Sequence, residues 1–320
     1  MTVIRLGYVA MSRHLKNCSP SQTMTVAQFL KIKDREAAIR KLERIAQSNI
    51  QHCLRLLKHN IAHDIRFFRL SSKLIPLANH QELSDWDYMK SIESDLEEMA
   101  SFLSHHPMRI DFHPDHFVLL NSTDPHIFRT SIATLRMHER LLKGMKIDPL
   151  HRCVLHVGGG YDDKELALEQ FVHNWGSVPY SLQRMIMLEN DDMTFTLRDT
   201  LYLCEKLGIP LVFDLHHHDA NHDQDWRVEW DRVTASWTHS PLPLKMHMSS
   251  PRSEKQFRAH HDFVSAEQFM NFLHEVKGTV SHIDCMLEAK QKDEALFRLV
   301  SELKKYDEIE WIDGASFYVR

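Results

Sequence analysis

Eight short apolar runs, each separated from the next by a longer polar stretch, constrain this chain more than any other feature of its sequence. They are VIRLGYVA (3–10), IRFFRLSS (65–72), MRIDFHP (108–114), CVLHVGG (153–159), MIMLEND (185–191), IPLVFDLH (209–216), LKMHMSS (244–250) and HIDCMLEA (282–289). Between them lie segments of helical period, among them 35–60, 87–106, 124–145, 194–208 and 266–278. In the second of these, Met89, Ile92, Leu96, Met99 and Leu103 recur at spacings of three and four, which marks one buried stripe. Strand alternating with helix implies a parallel sheet, and eight is the strand number at which such a sheet closes on itself. The expected fold is therefore α/β, a (β/α)8 TIM barrel forming a single domain over 1–320. The tail 306–320, with the strand-like IEWIDGASFYV at 309–319, could be a C-terminal extension of it.

No run approaches the roughly 20 apolar residues that span a bilayer, and the N-terminus lacks a signal-peptide layout. The five cysteines are scattered, with no C-x-x-C pair, as expected of reduced structural thiols in a cytoplasmic protein. A net charge of −5 gives no overall basic signal, although phosphate contacts need only a local basic patch.

Barrel sites form where the C-terminal ends of strands converge, so the polar residues at those ends carry the functional information. In chain order these are Tyr8, His80 (in the loop after the second strand), His113, His156 and Glu189. Asp214 with His216 and His217 follow, then Lys245 and His247, His260 and His261 in the next loop, and Glu288. Each of these alone has an ordinary reading, as a hydrogen-bonded histidine or a salt-bridged acid. Six consecutive strands offering His, Asp or Glu at one end are different. Carboxylates buried together repel, and divalent cations are a usual counterweight. Imidazole with carboxylate suits zinc, manganese or iron better than calcium or magnesium, and the candidates suffice for two or three ions. Strand parity places Asp214 and His216 on one face and His217 on the other, but parity fails once the chain turns into its loop.

Taken together, GYVAMSRH, CSPSQT, RLSSKLIPLANH, FHPDHF, LHVGGGYDDK, LENDD, FDLHHHDAN, KMHMSSPRSEKQFRAHHDFV and MLEAKQKD resemble the ultraviolet damage endonucleases of the UvdE/UvsE class, from about Ile4 to about Leu299. The resemblance implies a TIM barrel related to endonuclease IV-type enzymes. It also implies up to three divalent cations, manganese foremost, with zinc, magnesium or cobalt as other options. The implied reaction is cleavage of damaged double-stranded DNA immediately 5′ to ultraviolet photoproducts and other distorting lesions, leaving a 3′-hydroxyl and a 5′-phosphate. The implied ligands are Glu189, Asp214, His247 and Glu288 for one ion, His113 and His156 with Glu189 for a second, and His217 and His260 for a third. Among the histidines after Asp214, the resemblance selects His217. Lys245 matches a lysine beside the cluster that can be carboxylated, and His80 a histidine near the scissile phosphate. A protonated ammonium cannot ligate a cation, so Lys245 must be neutral, carboxylated or out of direct contact. His116 and Phe117 occupy the places of a residue pair that wedges into the duplex, commonly Gln and an aromatic. Tyr8 and Met11 are candidate contacts to displaced bases. Arg252 and Lys255 lie in a basic loop, with Arg258, suited to phosphate contact.

No membrane and no obligate protein partner are implied. Other readings of such a barrel are abasic-site cleavage of the endonuclease IV type, sugar isomerisation, or damage binding without catalysis. An isomerase would keep a closed sugar pocket, where a nuclease needs an open groove and a wedge.

Overall fold

All eight apolar runs form parallel strands in the computed structural model, which describes residues 1–320: β1 (Thr2–Val9), β2 (Phe67–Arg69), β3 (Arg109–Asp111), β4 (Cys153–His156), β5 (Ile186–Glu189), β6 (Leu211–Asp214), β7 (Leu244–Met248) and β8 (His282–Leu287). Their order is β3-β2-β1-β8-β7-β6-β5-β4. A parallel bridge between Phe112 and Cys153 joins the two ends, with Val154 N donating to Phe112 O at 3.0 Å. The barrel is therefore closed, and sheet edges with unpaired backbone groups are avoided. Apart from β1, the strands are shorter than the apolar runs, because the last residues of most runs already belong to the rim loops.

The five helical segments read from periodicity are helical. The stripe at 87–106 is broken once, at Ile92, whose φ of −115° and ψ of 7° separate Tyr88–Ser91 from Glu93–His105. The helices Lys164–Trp175 and Asp293–Leu303 complete the outer layer. The tail forms two further strands, β9 (Ile309–Trp311) and β10 (Ser316–Val319). These pair antiparallel, and β10 runs antiparallel along the first half of β1.

Closure brings β1 and β2 close together at Gly7, where a Cβ would lie 2.4 Å from Phe67 O. The period of two then sends Gly7 and Val9 into the lumen and Tyr8 outward. Val9, Phe67 and Met286 make a small apolar plug inside the barrel, apart from the main core between strands and helices.

The lumen beneath that plug is charged rather than apolar. Arg109 on β3 donates to Asp111 at 3.0 Å, to Asp284 on β8 at 2.8 Å and to Pro243 O at 2.8 Å. Asp284 also receives both Nε and Nη2 of Arg5 at 2.7 Å, a bidentate pair. Burial works to raise the Asp284 carboxyl, but His282, Arg109 and Arg5 hold it far below the usual range. A buried charge that loses its partner is costly. Asp284→Asn would leave Arg109 and Arg5 short of a counterion, and urea unfolding should show a loss of about 3–5 kcal/mol.

Candidate metal centre

The C-terminal rim brings the predicted acids and histidines together. Glu189 ends β5 with its side chain wholly buried, and four imidazoles face it, among them His217 with its Nδ1 3.4 Å from Oε1. His113 Nε2 lies 2.9 Å from Oε2, His247 Nδ1 lies 2.8 Å from Oε1, and His156 Nε2 lies 3.7 Å from Oε2. Glu288, after β8, has its Oε1 3.2 Å from His247 Nδ1. Three overlapping ligand sets result: His113, His156 and Glu189; Glu189, Asp214 and His217; and Asp214, His247 and Glu288. Glu189 and Asp214 each belong to two sets, so the three candidate positions are contiguous.

Asp214 and His217 are set by a change of backbone. Asp214 ends β6 and caps the short helix Leu215–Ala220, its Oδ1 accepting from His217 N at 2.8 Å. Three residues along a helix bring a side chain back to the same side, so His217 rejoins Asp214 where strand parity would have sent it away. His216 turns elsewhere, bonding Ser249 Oγ at 2.7 Å and Phe257 O at 2.6 Å. His217 was the resemblance's choice, and helix geometry explains it.

The charge state fits bound cations. His113 Nδ1 lies 3.1 Å from Pro114 O, a contact that requires Nδ1–H to donate. Burial pushes His113 down to about 4 despite Glu189, so near neutral pH the ring has one proton for two acceptors. Its Nε2 then turns a lone pair toward the Glu189 carboxylate, a repulsion that a cation between them removes. His156 Nδ1, His247 Nε2 and Asp214 Oδ2 are sealed from solvent without hydrogen-bond partners. His217 Nδ1 lies 3.0 Å from Asn190 O, 3.4 Å from Glu189 Oε1 and 3.8 Å from Asp214 Oδ2, and His260 Nδ1 lies 2.6 Å from Glu288 O. Burial would lower His217, but the carboxylates of Asp214, Glu189 and Glu288 push it up to about 9, a sign of local negative excess.

Other predicted residues fall less uniformly. Lys245 is fully buried one layer below the ligands, 3.2 Å from Asp111 Oδ2; burial outweighs that partner and brings it down to about 8. His80 is half-buried in the loop after β2, its Nδ1 accepting from Glu82 N at 3.2 Å, and touches none of the ligands. Phe117 is 73% exposed and packs on His116, ring centroids 4.1 Å apart. Met11, Arg252 and Lys255 are exposed on the rim loops. Arg258 is tied to Asp192 at 2.7 Å.

Tyr8 is a correction. Its ring is buried edge-on to Phe68 and its hydroxyl donates to Asn60 at 2.6 Å, behind the barrel wall. The period-two alternation of β1 turns it away from the mouth.

Two residues escaped the sequence reading. Asn190 clasps β6, donating to Asp214 O and accepting from Asp214 N, both at 2.9 Å. Arg69 ends β2 and pairs with Glu288. Both stand at strand ends, but neither an amide nor a guanidinium belongs to the His, Asp and Glu pattern that marks cation ligands.

The profile of the family described as UV-endonuclease UvdE matches residues 4–317. This chain belongs to that family. The UV DNA damage endonuclease of Halalkalibacterium halodurans is 56% identical over 308 residues, covering 96% of each chain. That of Bacillus cereus strain G9842 is 40% identical over 314 residues, covering 98% of each. Among solved structures, SacUVDE superposes with a TM-score of 0.82 at 28% identity, over 94% of this chain and 98% of that one. Endonuclease IV from Thermus thermophilus, with a TM-score of 0.51 at 12% identity over 94% of this chain and 100% of that one, shares the barrel fold. No helix of this UvdE-family chain is long and apolar enough to cross a membrane.

With His217 protonated up to about 9, binding of a cation at its ring must displace a proton. Manganese titrations at pH 7, run by calorimetry in buffers of differing ionisation heat, should show proton release. Affinity should weaken as pH falls from 9 to 6.

Proposed function

We propose that this chain is a metal-dependent DNA repair endonuclease. It hydrolyses the phosphodiester immediately 5′ to pyrimidine dimers, 6-4 photoproducts and other distorting lesions, leaving a 3′-hydroxyl and a 5′-phosphate. The reading is carried by the three contiguous ligand sets at the mouth of a barrel that belongs to the UvdE family. Two or three divalent ions, manganese foremost, would be held by Glu189, Asp214, His247 and Glu288; by His113, His156 and Glu189; and by His217 with His260. Such ions supply a lowered water pKa and charge neutralisation at the attacking and leaving oxygens.

The chain's own groups do the rest. Glu189, kept ionised by His247 and His156 against the cost of burial, accepts a hydrogen bond from the attacking water. The Nδ1–H donors of His217 and His260 on backbone carbonyls fix their rings. Lys245, beneath the ligands, supports that layer from inside the barrel rather than meeting DNA. His80, with Nε2 free, faces the DNA from the loop after β2. Phe117, exposed and braced by His116, inserts at the lesion, where the stack is cheaper to open than in intact DNA. Met11, Arg252 and Lys255 line the approach of the strand.

The deciding assay is nicking of irradiated, depurinated and untreated plasmid, each with manganese and with a chelator. Manganese-dependent nicking confined to irradiated DNA supports the proposal; equal or greater nicking of depurinated plasmid would favour the abasic-site alternative. Glu189→Gln should abolish nicking while circular dichroism stays unchanged. Phe117→Ala should weaken binding to a dimer-containing duplex by about 1–3 kcal/mol, with Phe117→Trp restoring most of it.

A further inference from the structure

From β3 round to β8 every strand offers a potential cation ligand at or just past this rim, whereas β1 ends in apolar Val9 and β2 ends in a fixed cation, Arg69. A guanidinium is always charged and has no lone pair to give, so it cannot join the ligand sets. Placed among groups that gather cations, it repels them. Its position calls for an anion.

The surroundings define that anion. Arg69 stands beside Val9 on β1 and Asp111 on β3, and its side chain is 15% exposed. Nη1 bonds Glu288 Oε1, and no other protein acceptor meets the guanidinium. Of its five N–H donors, the rest have no protein partner. None of its nitrogens is among the atoms sealed without a partner, so the spare donors open toward the mouth. Glu288 thus holds the fork by one nitrogen and leaves the remainder presented. Planar, bidentate donation suits a phosphate better than a lysine's point charge does.

The neighbourhood is cationic as well. Lys292, in the loop after β8, is pushed down by burial and then by the charges of Arg69 and Arg13, with Glu288 opposing. Lys292 thus lies within electrostatic reach of both Arg69 and Arg13, which come from other elements of the rim. In a chain of net charge −5, this makes a local basic edge flanking the acidic centre. A polyanionic strand laid along that edge would have one phosphate over Arg69 and Glu288.

We infer that Arg69 is a catalytic residue of this site, donating to a non-bridging oxygen of the phosphodiester that is cut while Glu288 steadies its guanidinium. The inference rests on the endonuclease reading above and adds to it a contact made by the protein itself. The bland alternative is that Arg69 serves only as counterion to Glu288 and acts through the metal site.

The two roles separate experimentally. Arg69→Lys and Arg69→Gln are compared with the parent chain in manganese affinity and in single-turnover nicking of a duplex carrying one cyclobutane dimer. In a Glu189→Gln background, binding is measured with either a native phosphate or a neutral methylphosphonate 5′ to the dimer. The clamp predicts manganese affinity that does not fall in either variant and that rises for Gln, where the repelling charge is removed. It predicts a nicking rate lower by about 10- to 100-fold for Gln, as for one lost charge-assisted hydrogen bond, with partial recovery for Lys. The methylphosphonate should weaken binding when Arg69 is present and make no further difference in Arg69→Gln, and the salt slope of binding should fall by about one. Nicking restored by excess manganese, or equal loss of binding to both duplexes, would overturn the clamp. So would variants that nick like the parent. A parent that fails to nick dimer-containing DNA at all is a separate result, and it would remove the underlying endonuclease reading.

Discussion

Glu189 is the group on which the rest of the site turns. It is a carboxylate with no access to water, at the end of a strand whose every residue is buried. Such a charge survives only if positive or hydrogen-donating partners surround it. Imidazoles from β3, β4 and β7 supply them, and closure of the barrel is what makes those partners available. In an open sheet the end of β3 and the end of β4 would lie at opposite edges. The Phe112–Cys153 bridge brings them together, and with them His113 and His156.

The same closure organises charge in layers. At the bottom of the lumen, Arg5 and Arg109 share the Asp284 carboxylate through short, fixed contacts. In the middle, Lys245 and Asp111 are paired, but burial keeps the lysine near 8. At the top, the carboxylates of Glu189, Asp214 and Glu288 converge and push the His217 ring well above its ordinary range. The charge left uncompensated therefore accumulates at the open end, where ions and substrate can reach it. Arg69 is the exception in that layer, a fixed cation set at its edge.

Support for these side chains comes from backbone devices. The Asp214 cap begins the helix Leu215–Ala220 and aims His217; Asn190 locks β5 to β6 beside it; His216 ties the end of β6 to the following rim loop. Each fixes a ring or a carboxylate by a bond made to the main chain, which is how a cluster of like-charged groups keeps its geometry. The loop after β3, by contrast, leaves Phe117 in solvent, as its proposed entry into a duplex requires.

Much of this was legible in the sequence because it depends on local pattern. Eight apolar runs and intervening helical periods specify a barrel, and a barrel specifies which end of each run converges. That places Glu189, Asp214, His247 and Glu288 at one rim before any coordinates are known. Tertiary structure decided what pattern cannot: that Tyr8 lies behind the wall on Asn60, that a helix begins after Asp214 and restores His217 to the cluster, and that Arg69 reaches past β1 to Glu288. In each case the outcome depends on where a strand stops and on which distant strand closure sets beside it. Periodicity along one segment carries information about neither.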